Sequence, residues 1–400
     1  MLYIIGGKVL TMAGEVWEKG FVCVEEGKIK ELGPMKDGAP FPLPKGENVQ
    51  IINALGCLVM PGLIEAHCHM GITEEKKGME GDDCNETVNP ITPYLRAIDA
   101  INPMDAAFHD ALRAGITSAM IGPGSSNVVG GSFAFVKTCG RNIDDMIVLS
   151  PAAMKVAFGE NPKVNYSGQG KSPATRMAIA AMLREELFEA KKYYEKKCAG
   201  MKREDEEFRY ECWIPVFEKK IPLKAHVHRA DDILTAIRIA KEFDLDMTLD
   251  HCSEGHLITE EVKASGFPAI VGPDLASRNK IEVQNMAFKT VGILNCAGVK
   301  TAIATDHPVS LIQSLPICAG LAVKAGLDEA EALKSVTVYA AEICRVDHRV
   351  GCLKQGMDAD IAIFSDSPLK VDTRTLCTII DGKIVYADQS FSLPVEEKRV

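Results

Sequence analysis

The chain has 400 residues, 46% of them hydrophobic and 25% charged, and a net charge of −10. That length suits one large domain plus a smaller one, and the composition is that of an ordinary globular protein. The acidic balance excludes nucleic-acid binding as the main activity, because that needs a basic surface. The start, Met1 to Leu10, lacks the basic region and apolar core of a secretory signal, and no run is long enough to span a membrane. The 13 cysteines are scattered without a Cys-x-x-Cys pair, which fits reduced thiols in a cytoplasmic protein better than a disulfide framework.

Residues 1–60 read as short strands with turns: Tyr3–Ile5, Phe21–Val24, Lys28–Lys30, Gln50–Ile52 and Cys57–Met60, with a Pro-rich loop from Pro34 to Pro44. From Pro61 the pattern changes to apolar runs alternating with amphipathic helices. The predicted strands are Leu63–Ala66, Ile116–Ile121, Phe133–Val136, Ala152–Ala157, Leu223–Val227, Asp246–Leu249, Ala269–Val271 and Thr301–Ala304. Eight strands separated by helices imply a parallel sheet, and eight is the number that closes a (β/α)8, TIM-like barrel. A helix is expected over Pro103–Ala114, with Asn102 as N-cap and Gly115 past its end.

An insertion over residues 165–215 carries Ala180, Leu183, Leu187, Ala190 and Tyr194 at helical spacing, followed by the charged run Lys202–Arg209. It reads as a helical hairpin on the barrel rim. Beyond Ala340 short strands return at Asp360–Phe364, Thr378–Ile380 and Lys383–Tyr386, the last two joined by an Asp381-Gly382 hairpin turn. The expected architecture is an α/β chain: a barrel over 61–345, and a discontinuous β-sandwich made of 1–60 and 346–400.

Catalytic groups of such barrels lie at the C-terminal ends of the strands. There the sequence offers His67 and His69, Lys155 and Glu160, His226 and His228, Asp250 and His251, and Asp306 and His307. Side chains at i and i+2 of a strand share a face, so His67 and His69 can reach one metal ion. Imidazole suits Zn, Fe, Ni or Cu better than Mg or Ca. His226 and His228 are expected to point oppositely, so that one of them is the ligand and the other lies near the substrate or in the core; the strand alone leaves open which. The Gly-rich stretch Gly122–Gly131, with Asn127, Gly130 and Gly131, exposes backbone N–H groups that suit a substrate carboxylate. Arg229, Arg176 and Lys163 are further carboxylate-binding candidates. His109, His256 and His348 read as structural or surface residues.

Four motifs carry a resemblance: Val59–His69, Leu249-Asp250-His251, Ile303–Asp306 and Gly351–Ile361. Together they make the chain similar to the metal-dependent amidohydrolase superfamily. Gly122–Gly131 and Ala157–Pro162 look most like its imidazolonepropionase-related branch, which includes Xaa-Pro and Xaa-Arg dipeptidases. The resemblance implies one or two Zn²⁺ ions, with Fe, Mn and Ni as alternatives, on His67, His69, His228 and Asp306. Asp306 then also moves protons. His251 either binds a second metal or polarises the substrate carbonyl, and a carbamylated Lys155 would bridge two metals. Implied is hydrolysis of a C–N bond in a small substrate such as a dipeptide or N-acyl amino acid. Imidazolonepropionase, a one-metal deaminase and a scaffold without activity are the alternatives. The partner expected is the small-molecule substrate, with a homo-oligomer as an option.

Overall fold

The computed structural model describes residues 1–36, 49–75, 78–200, 202, 204 and 206–391. Most of the Pro-rich stretch (37–44) and part of the charged run (203 and 205) lie outside them. In chain order the first seven strands are β1 Leu2–Ile5, β2 Lys8–Leu10, β3 Val16–Trp17, β4 Gly20–Glu25, β5 Lys28–Pro34, β6 Gln50–Asn53 and β7 Leu58–Pro61. The next eight are β8 Leu63–Cys68, β9 Ile116–Ile121, β10 Val129–Lys137, β11 Ile147–Ala157, β12 Leu223–Val227, β13 Met247–His251, β14 Ala269–Val271 and β15 Thr301–Ile303. The last three are β16 Ile361–Phe364, β17 Thr375–Ile380 and β18 Lys383–Ala387.

Strands β8 to β15 form one eight-stranded sheet in sequence order. The seam between β8 and β15 is held by the His69 N–H on the His307 carbonyl at 2.8 Å, so the sheet curls into a nearly closed barrel. The sheet is not all parallel, as the sequence had implied: β10 runs antiparallel to both β9 and β11. Only residues 122–128 separate β9 from β10, whereas a parallel crossover takes a dozen or more residues. The short link forces a hairpin, and the start of β10 therefore joins the same barrel mouth as the ends of β9 and β11. Every residue of β8, β9 and β10 is buried, because both faces of the sheet are covered. Ile64, Ala66, Phe133, Phe135, Ala152, Ala153, Ile270, Ala302 and Ala304 belong to one buried apolar cluster.

Two further sheets flank the barrel, ordered β5-β4-β1-β6 and β18-β17-β16-β7-β2-β3. The second joins the two ends of the chain, with β16 antiparallel to β7. A single apolar cluster, including Ile4, Val22, Val24, Ile29, Val59, Ile361 and Ile379, draws on both sheets. Asp381 (φ 48°) and Gly382 (φ 73°) make the expected turn between β17 and β18. Between β10 and these sheets lies a buried ion cluster: Lys137 Nζ is 2.9 Å from Asp358 and 2.5 Å from Asp360.

Two helices differ from expectation. The first begins at Ala106, not Pro103, with Asp105 in the N-cap position. Asn102 Oδ1 accepts the Met104 N–H at 3.0 Å, so its side chain closes a turn ahead of the helix instead of capping it. In the insertion the helix Arg176–Cys198 buries Tyr193, not Tyr194, beside Leu183, Leu187 and Ala190. Both tyrosines are one turn from Ala190, and i+3 wins because Tyr193 reaches Glu211 of the following segment.

Candidate metal centre

The barrel mouth gathers five imidazoles and one carboxylate. His67 lies in β8, with His69 just beyond its end; His226 lies in β12, with His228 just beyond; His251 ends β13, and Asp306 follows β15. All six are at least nine-tenths buried. Two trios place ligand atoms within 4.8 Å of one another: His226, His228 and His251, and His67, His251 and Asp306. Asp306 Oδ1 lies 3.1 Å from His69 Nε2 and 3.5 Å from His67 Nε2. His251 (φ 68°) and Asp306 (φ 53°) hold left-handed backbone, which costs a non-glycine residue about 1–3 kcal/mol and is common where a site dictates side-chain direction.

The outer nitrogen of three of the rings is hydrogen-bonded to an oxygen, and that of His67 lies at ion-pair distance from a carboxylate without hydrogen-bond geometry. His67 Nδ1 is 2.8 Å from Asp250 Oδ2, His69 Nδ1 is 2.7 Å from the Gly122 carbonyl, and His251 Nδ1 is 2.7 Å from the Gly272 carbonyl. His228 Nδ1 is 2.8 Å from Ser253 Oγ. Anchoring one nitrogen fixes the ring and leaves Nε2 for the centre, the usual support of a metal-binding histidine. His251 Nε2 is buried without a hydrogen-bond partner, which costs free energy unless something else occupies it. The donor set of imidazoles plus carboxylate therefore fits a transition metal.

Lys155, on β11, is fully buried with Nζ 3.4 Å from His67 Nε2. Burial pushes its pKa down to about 8. Burial also holds His67, His226 and His251 well below the ordinary imidazole range, and takes His228 to about 3. His69 is the exception. Burial pulls it down, but the Cys84 thiolate and Asp306 outweigh that and lift it to about 10. Burial would raise Asp306, yet His251, His69 and Lys155 keep its carboxyl below the usual range.

The structure corrects the strand-five expectation. His226 and His228 stand two residues apart, share a face by the same period that aligns His67 with His69, and both face His251. Glu160 belongs to neither trio; its backbone N–H is engaged by Glu282 at 2.7 Å. The Asn127 amide donates to the Glu86 and Asn89 carbonyls at 2.7 and 2.8 Å, so these donors hold a loop and do not face a substrate. Gly131 (φ 115°) packs against the Leu95 carbonyl, where a Cβ would come within 2.4 Å. Gly130 lies against the Lys155 side chain, 3.3 Å from its Cγ by the same measure. Arg229 is committed to Asp231 at 2.9 Å, and Arg176 to Asp232 at 3.1 Å. His307 is buried, and its Nδ1 accepts the Ile312 N–H at 3.1 Å.

Four functional neighbours escaped the sequence reading. Glu65 accepts the His67 N–H at 3.0 Å, the Thr305 N–H at 2.9 Å and the Thr305 hydroxyl at 2.6 Å, tying β8 to β15. Burial raises its pKa to about 7 against those donors. Lys224 reaches the Ala66 carbonyl at 3.0 Å and Asp250 at 3.2 Å. Both are charged residues inside apolar strand runs, a signal that was available. Glu282 and Cys84 lie in connections, where spacing carries no signal.

Residues 58–385 match the amidohydrolase family. The chain belongs to that family. An amidohydrolase structure from Thermotoga maritima is 34% identical, with a TM-score of 0.92, and the alignment covers 97% of this chain and all of the other. A prolidase with N-methylphosphonate-L-proline bound superposes at a TM-score of 0.60 and 19% identity, over 97% of this chain and all of that one, a likeness of fold. The amidohydrolase tasK of Hapsidospora irregularis is 26% identical over 94% of this chain, which spans 41% of that protein. Adenine deaminase 1 of Desulfotalea psychrophila is 22% identical over 97% of this chain, which spans 57% of it. Among the described residues no helix is long and apolar enough to cross a membrane.

Proposed function

We propose that this amidohydrolase family member is a metal-dependent hydrolase of a carbon–nitrogen bond in a small substrate, with two metal positions at the barrel mouth. The observation that carries the reading is the convergence of His67, His69, His228, His251 and Asp306, with three outer ring nitrogens hydrogen-bonded and a buried His251 Nε2 left over. His67, His69 and Asp306 would hold one ion, and His228, His226 and His251 the other. Lys155 lies beside His67, and as a carbamate it would offer an anionic oxygen to both. Zinc is the metal we favour, on the imidazole-rich donor set. When bound, such an ion supplies Lewis acidity and makes water a stronger acid. Asp306 takes the proton of the attacking water and returns it to the leaving nitrogen. The substrate class is a dipeptide or N-acyl amino acid.

The two small sheets, which share one apolar cluster, support a discontinuous sandwich of residues 1–60 and 346–400 beside a barrel of 61–345 carrying the helical insertion 165–215. A deaminase is the second reading, favoured by the adenine deaminase likeness and by 45% identity over 74 residues to a 5-methylthioadenosine/S-adenosylhomocysteine deaminase of Symbiobacterium thermophilum.

Purified protein should be assayed against dipeptides, N-acyl amino acids, imidazolone propionate and aminopurines, before and after chelation. Hydrolysis of an amide that disappears on chelation and returns with Zn²⁺ is the expected result. Ammonia release from aminopurines alone would favour the deaminase, and turnover indifferent to chelation would end the metal reading. Asp250→Ala should weaken metal binding about 10–100-fold, because it frees His67 Nδ1. Zn²⁺ titration of the metal-depleted variant checks this, and an unchanged affinity would remove Asp250 from that role.

A further inference from the structure

Glu282 belongs to none of the motifs that place site chemistry in the sequence, yet it faces the His226–His228 pair. It sits in the short turn Ile281–Val283 after β14, and its side chain is only 2% exposed. Oε2 accepts the Glu160 N–H at 2.7 Å, which fixes the carboxylate against the start of the helix Glu160–Ser167. Gly159 leaves the room for this: a Cβ there would lie 2.5 Å from Oε2. Oε1 is thereby aimed at the barrel mouth, 3.9 Å from His226 Nε2 and 3.9 Å from His228 Nε2. Lys280 approaches the same oxygen from the side, with Nζ 2.6 Å from Oε1 and 2.8 Å from Asn161 Oδ1.

A buried carboxylate must be paired with a cation, and this oxygen stands at equal distance from two imidazole nitrogens that could share one with it. Zinc binds nitrogen and carboxylate oxygen at about 2.0–2.2 Å, so two tetrahedral ligand atoms stand about 3.3–3.5 Å apart. The observed separations need to close by only a few tenths of an ångström. The Lys280 ammonium meets the charge of Glu282 here, but it has no acceptor oxygen or lone pair to complete a ligand set.

We propose that Glu282 is a carboxylate ligand of the metal held at His226 and His228, and that Lys280 is an internal cation which that metal displaces. The proposal rests on the second metal position argued above. Metal-depleted wild type, Glu282→Gln and Lys280→Met would be titrated with Zn²⁺ alone by calorimetry in bicarbonate buffer. The expected result is two binding events in wild type, one of which weakens at least about tenfold in Glu282→Gln and tightens in Lys280→Met. Wild-type affinity for both events in Glu282→Gln would overturn the proposal and leave the metal centre standing. Absence of any Zn²⁺ binding by wild type would overturn both. If circular dichroism shows Glu282→Gln unfolded, Lys280→Met decides: tightening of one event supports the proposal, and unchanged binding overturns it.

Discussion

Asp306→Asn is expected to lower kcat by about 10²–10⁴-fold on whichever substrate the panel identifies. The substitution keeps the size of the side chain, and asparagine tolerates the left-handed backbone that residue 306 adopts (φ 53°). The fold and the contact with His69 should therefore survive. What is lost is the anionic oxygen 3.1 Å from His69 Nε2 and 3.5 Å from His67 Nε2, and with it both a ligand and the acceptor of the water's proton. A thermal melt and a metal titration belong beside the kinetics, since a drop in kcat with metal still bound isolates the proton-transfer role. A variant within tenfold of wild type, with metal bound, would contradict the assignment.

The largest expected effect on stability lies far from the mouth. Lys137→Met should destabilise the protein by about 3–5 kcal/mol, the usual consequence of stripping one partner from a buried ion pair. Lys137 extends from β10 to Asp358 and Asp360, and its side chain and theirs are at most 5% exposed. Asp358 keeps Arg349 at 2.8 Å, but Asp360 loses its only ion-pair partner among the described residues. Lys28→Met is the control. Lys28 also reaches Asp358, at 2.5 Å, but its side chain is half exposed, so solvent screens the pair and the change should stay within about 1 kcal/mol. Urea denaturation of the two variants checks the contrast, and equal midpoints would refute it.

The site was legible in the sequence to the extent that it follows strand periodicity. His67, His69, His251 and Asp306 are found at strand ends because an eight-stranded barrel aligns those ends at one mouth. The same period should have aligned His226 with His228, and applying it inconsistently produced the one wrong direction among the histidines. Lys155 was found because it stands near the end of the fourth barrel strand, where the resemblance implies a bridging lysine. Lys224 and Glu65, charged residues inside apolar strand runs, were passed over. Glu282 was out of reach, since only the path of the chain after β14 brings it to His226. The reversal of β10 was readable from the short link at 122–128, while its pairing partners were not. Asn127 and Arg229 illustrate a different limit: composition nominates a polar side chain for a substrate, but local carbonyls and Asp231 had already claimed these two.

The most direct test of the metal centre is elemental analysis of protein purified with bicarbonate present, for wild type and Lys155→Ala. About two transition-metal ions per chain are expected in wild type and fewer in the variant, because Lys155 lies beside His67 and as a carbamate would be a ligand shared by the two proposed positions. Wild type without bound metal, or a metal content unchanged by Lys155→Ala, would contradict it.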